Sequence, residues 1–320
     1  MQPTRAEIET ACSTVHAVMP PTPQYRWPLL CERLGTDVWV KHENHTPVGA
    51  FKVRGGLVYF ERLARSAERP AGVIAATRGN HGQSIAFAAA RHSLPASLVI
   101  PHGNSREKNA AMRALGAELI EHGDDFQTAL EYAADLAGAR QLHWVPSFHP
   151  ALVTGVATYA WELFNAVADI DIAYVPIGLG SGICGMAAAR DALGLKTELV
   201  GVVSAHAPAY ARSFAAGAPV DHPADTELAD GMACRTPNPE ALEIIRRSVD
   251  HIVEVSDDEV RRAMRLLFES THNVAEGAGA AAMAAAMQER TRLRGRRVAV
   301  VLSGGNVDRP LFADVIGADS

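Results

Sequence analysis

Gly72-Val73-Ile74-Ala75-Ala76-Thr77-Arg78-Gly79-Asn80-His81-Gly82-Gln83 is the stretch on which the fold of this chain turns. Its opening residues are apolar without alternation, the pattern of a strand covered on both faces, and such strands belong to parallel sheets. Small and polar residues follow, and a segment of helical spacing begins. Near the other end of the chain Val298-Ala299-Val300-Val301-Leu302 repeats the continuous apolar pattern, again followed by glycines.

Short apolar runs and helix-length segments alternate through the rest of the chain. Strands are expected at Asp37–Lys41, Gly72–Thr77, Ser97–Pro101, Glu118–Glu121 and His143–Val145, then at Ile172–Ile177, Glu198–Val203, His251–Val255 and Arg297–Leu302. Helical spacing marks Gln83–Arg91, Arg106–Leu115, Phe126–Ala137 and Asp257–Ser270. Thr4-x-x-Glu7 is a capping box that opens a further helix to about Val18, which Met19-Pro20-Pro21-Thr22-Pro23 stops. Such alternation predicts an α/β protein with doubly wound parallel sheets. A chain of 320 residues is long enough for two domains sharing a cleft. Residues 72–146 are expected to form a small α/β domain inserted into a large one built from 1–71 and 147–320. The irregular stretch Ala216–Pro239, rich in proline, reads as a long surface connection.

Composition narrows the function. The net charge of −6 offers no positive field for nucleic acid or an anionic membrane. The basic stretches Arg261–Arg265 and Arg290–Arg297 are interrupted by apolar residues and read as solvated helix faces. No apolar run follows a basic segment at the N-terminus, so no signal peptide is visible. The run Ala278–Met287 is too short to span a bilayer. Cys12, Cys31, Cys184 and Cys234 form no CxxC pair, which points to reduced thiols in a cytoplasmic protein. His42-Glu43-Asn44-His45 falls in a loop and lacks the spacing of a metal site.

Four segments carry candidate chemistry, each where a strand ends or a helix starts, the edge at which open α/β sheets bind ligands. In Gly49-Ala50-Phe51-Lys52-Val53-Arg54-Gly55-Gly56, Lys52 follows an aromatic residue and opens a helix. A pocket there would strip its charge by desolvation, although an exposed first-turn lysine has the same local sequence. Thr77–Gln83 presents backbone N–H groups at a helix start, suited to a carboxylate, or else a plain turn with Asn80 as N-cap. Pro176-Ile177-Gly178-Leu179-Gly180-Ser181-Gly182-Ile183-Cys184-Gly185 lets amides approach a phosphate at a helix N-terminus. Its glycines also match a dinucleotide fingerprint. The next strand, however, ends Val202-Val203-Ser204 without the acid that would hold a ribose, so a phosphate cup is favoured over an oxidoreductase. Leu302-Ser303-Gly304-Gly305-Asn306-Val307-Asp308 alone is a glycine-rich turn.

In this order the four segments closely resemble the threonine dehydratase and serine racemase branch of fold-type-II pyridoxal-phosphate enzymes, from about Thr22 to Asp308. The resemblance implies two doubly wound parallel-sheet domains with the active site in the cleft between them, pyridoxal 5'-phosphate as cofactor, and a homodimer. It implies that Lys52 forms the Schiff base, that Phe51 packs beside the ring and that Asn80 bonds the phenolic oxygen. Gly178, Leu179, Gly180, Ser181 and Gly182 would hold the phosphate, and Ser303 would face the pyridine nitrogen. Glu276, in Val274-Ala275-Glu276-Gly277-Ala278-Gly279, matches a position near the ring. Thr77, Asn80 and His81 would receive the substrate carboxylate, with Arg78 in reach of the substrate or the cleft wall.

The implied reaction is α,β-elimination from a small β-hydroxy L-amino acid of the threonine or serine type, releasing a 2-keto acid and ammonia. A serine hydroxyl cannot hold the pyridine nitrogen protonated, which weakens the electron sink and lets loss of a β-leaving group compete. Larger substrates stay open: hydroxyaspartate, phenylserine or a hydroxy-diamino acid. A racemase would need a serine-type acid/base where Arg78 stands, and a guanidinium is a poor base. Metal-binding members of the family carry acids after the strand ending at Val203. Gly201–Tyr210 has no carboxylate, so no metal is expected there. The few residues after Asp308 leave no room for a regulatory domain, which fits a catabolic enzyme.

Overall fold

The computed structural model describes residues 2–66 and 68–318; residues 1, 319 and 320, at the ends of the expected large domain, and residue 67 lie outside it. The strands are β1 (Gln24–Arg26), β2 (Asp37–His42), β3 (Val73–Ala76), β4 (Ala96–Ile100), β5 (Glu118–Glu121), β6 (His143–Trp144), β7 (Ile172–Pro176), β8 (Glu198–Ser204), β9 (His251–Val255) and β10 (Arg297–Leu302). The helices are α1 (Arg5–His16), α2 (Pro28–Leu34), α3 (Lys52–Ala64), α4 (Asn80–Arg91), α5 (Arg106–Ala114), α6 (Phe126–Arg140) and α7 (Pro150–Ala166). They continue with α8 (Ser181–Ala192), α9 (Ala209–Ala216), α10 (Pro239–Ser248), α11 (Asp257–Thr271), α12 (Gly277–Gln288) and α13 (Arg309–Gly317).

Two sheets form, in the orders β1-β2-β10-β7-β8-β9 and β5-β4-β3-β6. All pairings are parallel except β1 with β2. The unalternated apolar runs are explained by the layers on either side. Val298, Val300 and Leu302 of β10 enter one core with α11 and α12, while Ala299 and Val301 enter another with α7, α8 and α10. In β3, Val73 and Ala75 face one core, and Ile74 and Ala76 the other. Each fully buried Val, Ile or Leu contributes about 1.5–3 kcal/mol, so such a strand is stable only between two apolar layers.

Three local expectations are corrected. β1 was not foreseen, since three residues on a sheet edge are too few to show a period. Helix α4 begins at Asn80 rather than Gln83, and Gly79 rather than Asn80 is its N-cap. The cause is Thr77, whose hydroxyl oxygen accepts from the N–H groups of Gly79 (3.0 Å) and Gly82 (2.9 Å) and so starts the helix early. Ala216–Pro239 is no mere surface connection, because Leu228, Ala229, Met232 and Cys234 are buried. A 3-10 turn at Asp230–Met232 packs on α12 and brings the stretch into the cleft wall.

Beneath the cleft lies a dry ionic cluster. The guanidinium of Arg54, on α3, is fully buried and donates to Glu43 at 2.7 and 3.0 Å and to Glu162 of α7 at 2.6 and 2.9 Å. Thr158 (3.0 Å) and Thr22 (3.1 Å) accept its other bonds, and buried Lys41 donates to Glu162 at 2.7 Å. Two cations thus meet two carboxylates, each hydrogen-bonded from several sides, the condition under which buried charge is tolerated. The cluster pins the first turn of α3, and Lys52 is in that turn.

Candidate active site

The loops that follow β2, β10 and β7 leave the large sheet at the same edge, and two of them are stitched together. Ala50 and Gly304 form an antiparallel bridge; Phe51 N–H donates to Ser303 C=O at 3.0 Å, and Gly305 N–H to Gly49 C=O at 2.9 Å. The lysine segment and the Ser303 segment are therefore one piece of structure. A cavity of about 970 Å³ opens over them, lined by Phe51, Lys52, Thr77, Arg78, Asn80 and His81 on one side. Gly178, Leu179, Gly180, Ser181, Gly182, Glu276 and Ser303 are among the residues that line the rest of it. All the residues singled out in the sequence are brought to this one space.

Lys52 Nζ stands 4.8 Å from the Phe51 ring centroid and makes no hydrogen bond or ion pair among the described residues. Burial lowers its pKa to about 8, against a smaller opposing pull from Glu276. The four lysines of the chain sort clearly. Lys41 is locked to Glu162, Lys108 to two carboxylates, and Lys196 is exposed. Lys52 alone combines an unpaired amine with a cavity. Its reaction with an aldehyde should accelerate as pH rises through about 8. Mixing cofactor-free protein with pyridoxal phosphate over a pH series and following absorbance measures this. A midpoint near that of a free lysine, about 10.4, would show that the amine is not enclosed.

The glycine segment between β7 and α8 is shaped as an anion cup. Gly180, the N-cap of α8, has φ +97°, and a Cβ there would stand 2.7 Å from Ala241 Cβ, so no other residue fits. The first helical bond runs from Cys184 N–H to Gly180 C=O, which leaves the N–H groups of Ser181, Gly182 and Ile183 ahead of it. They point where the dipole of α8 favours negative charge. Leu179 takes part through its backbone only: its C=O accepts from Tyr210 Oη at 3.1 Å.

Opposite the cup, Thr77 is buried, and its oxygen serves the turn, with the hydroxyl hydrogen left to donate. Burial and the nearby Lys52 lower the His81 pKa to about 3, so the ring is neutral and its Nε2 is buried without a partner among the described residues. Asn80 Nδ2 donates to Glu276 Oε1 at 2.5 Å, while its Oδ1 accepts from Asn306 Nδ2 at 2.9 Å. Ser303 is buried and its hydroxyl donates to Ala278 C=O at 3.3 Å. Arg78 is half-buried in the cavity wall and makes no hydrogen bond or ion pair among the described residues. Lys108 and Asp230 also line the cavity, paired at 2.7 Å, and sequence reasoning passed over both. Nothing local in the sequence connects residues so far apart.

These residues suit pyridoxal phosphate on structural grounds. The group calls for a lysine amine, a phosphate cup, a polar partner at its ring nitrogen and an apolar wall, and Lys52, Gly178–Gly182, Ser303 and Phe51 stand around one cavity. Comparisons with known proteins agree. The L-threonine ammonia-lyase of Thermotoga maritima is 32% identical over 316 residues, covering 98% of this chain and 78% of the relative. The catabolic L-threonine dehydratase of Escherichia coli K12 is 32% identical over 289 residues, 89% of this chain and 88% of the relative. The biosynthetic L-threonine dehydratase of Haemophilus influenzae is also 32% identical, but the chain spans only 58% of its length. Among solved structures, a threonine deaminase from T.th. superposes with a TM-score of 0.88 at 31% identity, over 96% of this chain and 99% of that one. Maize serine racemase, at 24% identity, shares the fold with a TM-score of 0.90 over 99% and 98% of the two chains. Residues 17–304, which contain the whole cavity wall, match the family described as pyridoxal-phosphate dependent enzyme, and the chain belongs to that family.

Proposed function

We propose that the protein is a lyase that removes water and then ammonia from a small β-hydroxy L-amino acid of the threonine or serine type. The observation that carries this reading is the unpaired Lys52 amine set between an anion cup and a second loop of free donors. Pyridoxal phosphate supplies, when bound, an electron sink that labilises the bonds at the substrate α-carbon. We assign Lys52 to its covalent attachment and Gly178, Leu179, Gly180, Ser181 and Gly182 to its phosphate. Phe51, Asn80, Ser303 and Glu276 would surround the ring.

What remains is done by side chains. Near pH 8 a substantial fraction of Lys52 is neutral, and so able to take the α-proton as general base. Thr77, Asn80 and the backbone N–H groups at the start of α4, that of His81 among them, orient the substrate carboxylate so that this proton faces the amine. The His81 ring, held neutral with its one N–H toward the Pro146 carbonyl, adds no charge, and its Nε2 is left as an acceptor. Ser303 is a neutral hydroxyl in a buried position and introduces no carboxylate at the ring. Residues 72–146, which carry the four-stranded sheet, would act as the small domain closing on 1–71 and 147–320. No described helix is long and apolar enough to cross a membrane. The free cysteines support a cytoplasmic setting, and the exposed Tyr25 and Leu29 beside the β1 edge support a homodimer.

The unpaired Arg78 in the same cavity supports recognition of a second polar or anionic group on the substrate. A charge-assisted hydrogen bond is worth roughly 1.5–3 kcal/mol, or about ten- to a hundredfold in specificity. Keto-acid release measured over serine, threonine, hydroxyaspartate, phenylserine and a hydroxy-diamino acid tests both ideas. Arg78→Ala should lose that factor on the larger polar substrate while serine turnover holds level or rises. An equal loss on every substrate would make Arg78 a loop support with no part in selection.

A further inference from the structure

Lys108 lies on α5, next to the four-stranded sheet, yet its ammonium ends on the other side of the cleft. It pairs with Asp230 at 2.7 Å and stands 3.1 Å from Glu276 Oε2, an ionic contact rather than an aligned hydrogen bond. Its path is built into the chain. Gly79 has φ +152°, and a Cβ there would collide with Lys108 Cδ, so the lysine stem runs through space that only glycine leaves free. The start of α5 is tied down as well. The Asp308 carboxylate, ahead of α13, accepts from Ser105 Oγ and from the N–H groups of Arg106 and Glu107, the latter two at 3.3 Å. Glu107 in return accepts from Arg309 N–H at 2.9 Å. Each of the two helix starts is thus capped by a carboxylate from across the cleft.

Glu276 is the group this lysine governs. It is 2% exposed, and burial raises its pKa. The charged groups facing it are Lys108 from α5, which opposes that rise, Asp230 from the 3-10 turn, which adds to it, and Lys52 from α3. Glu276 Oε1 in turn fixes the Asn80 amide, whose oxygen is fixed by Asn306. As a carboxylate it can only accept, so it demands the nitrogen end of Asn80; protonated, it could donate and would release that choice.

We infer that Lys108 is a positioning residue: docked across the cleft with α5, it keeps Glu276 a carboxylate and so holds the Asn80 amide in one orientation toward the cofactor. The inference rests on the proposed cofactor site, and its test reads the bound cofactor rather than turnover. Purified holoenzyme is titrated from pH 6 to 9 and its visible absorption recorded. Wild type sets the reference profile. Lys108→Met should move the transition that depends on Glu276 up by about one to three pH units from its wild-type place, as loss of a neighbouring opposite charge does. The double variant Lys108→Met/Glu276→Gln should lose that transition. Asp230→Asn removes a repulsion, so it should not move the transition upward. Lys108→Arg, which keeps the charge, should restore the wild-type profile. If Lys108→Met does not fold, Lys108→Gln carries the same expectation. A Lys108→Met profile matching wild type overturns the inference alone, as would the same upward move in Asp230→Asn, which would signal mere loosening of α5. A colourless wild type overturns the cofactor reading and this inference with it.

Discussion

Replacing Lys52 with alanine is expected to leave keto-acid release undetectable, a loss of more than about 10⁴-fold. A general base alone contributes about 10²–10⁴, and the covalent attachment point is lost with it. The variant should fold normally, because the Lys52 side chain makes no hydrogen bond or ion pair among the described residues and is only half-buried. Its melting curve should therefore overlay that of wild type without cofactor, which separates loss of chemistry from loss of structure. Borohydride reduction of the wild-type holoenzyme should fix the cofactor to one peptide, the one containing Lys52. The chain has just four lysines, so mapping the label is unambiguous. Label on any of the other three lysines, Lys41, Lys108 or Lys196, or residual elimination by Lys52→Ala above about 10⁻⁴ of wild type, would contradict the assignment.

The second large effect falls on stability. Arg54→Met removes the shared cation of the buried cluster and leaves Lys41 as the buried cation facing Glu43 and Glu162, with His16 Nε2 at 2.8 Å from Glu162. Breaking a buried pair from one side costs about 3–5 kcal/mol, a large part of the roughly 5–15 kcal/mol that holds a protein folded. At about 2–4 °C per kcal/mol, the melting temperature should fall by roughly 6–20 °C. The pH dependence carries a definite sign. Burial works to raise the Glu162 pKa, but Arg54 and Lys41 together outweigh it and lower the pKa from 4.5 to about 2. Such a carboxylate stabilises the fold above its unfolded pKa and loses that contribution as pH falls toward its folded one. The gap between variant and wild type should therefore be full at neutral pH and close between about pH 4.5 and 2. A gap that is constant over that window would mean that lost packing, not charge, explains the destabilisation. Because α3 carries both Lys52 and Arg54, the folded fraction of Arg54→Met should also bind cofactor more weakly.

The sequence by itself determined the layers and the chemistry-bearing loops. Strands such as Val298–Leu302 announce burial on both faces because each of their residues is apolar, and burial of this kind requires helices on both sides. The glycine cup was legible for a related reason, whereas the Lys52 turn and the Ser303 loop were read only from the four segments taken together. A tight turn at a helix start restricts backbone angles and Cβ space over only a few residues, so a short local word specifies it, as Gly180 does. What only the tertiary structure decided depends on partners distant along the chain. That Lys52 rather than another lysine is the free amine follows from Glu162 taking Lys41, and from Asp230 and Glu276 taking Lys108. That Ala216–Pro239 forms part of the cleft wall follows from the packing of Asp230–Met232 on α12, which has no periodic signature. The electrostatic setting of Glu276 likewise belongs to no motif. It results from burial opposed by one ammonium that arrives through the gap at Gly79, and electrostatic balance of that kind is set by distances that no local pattern of residues encodes.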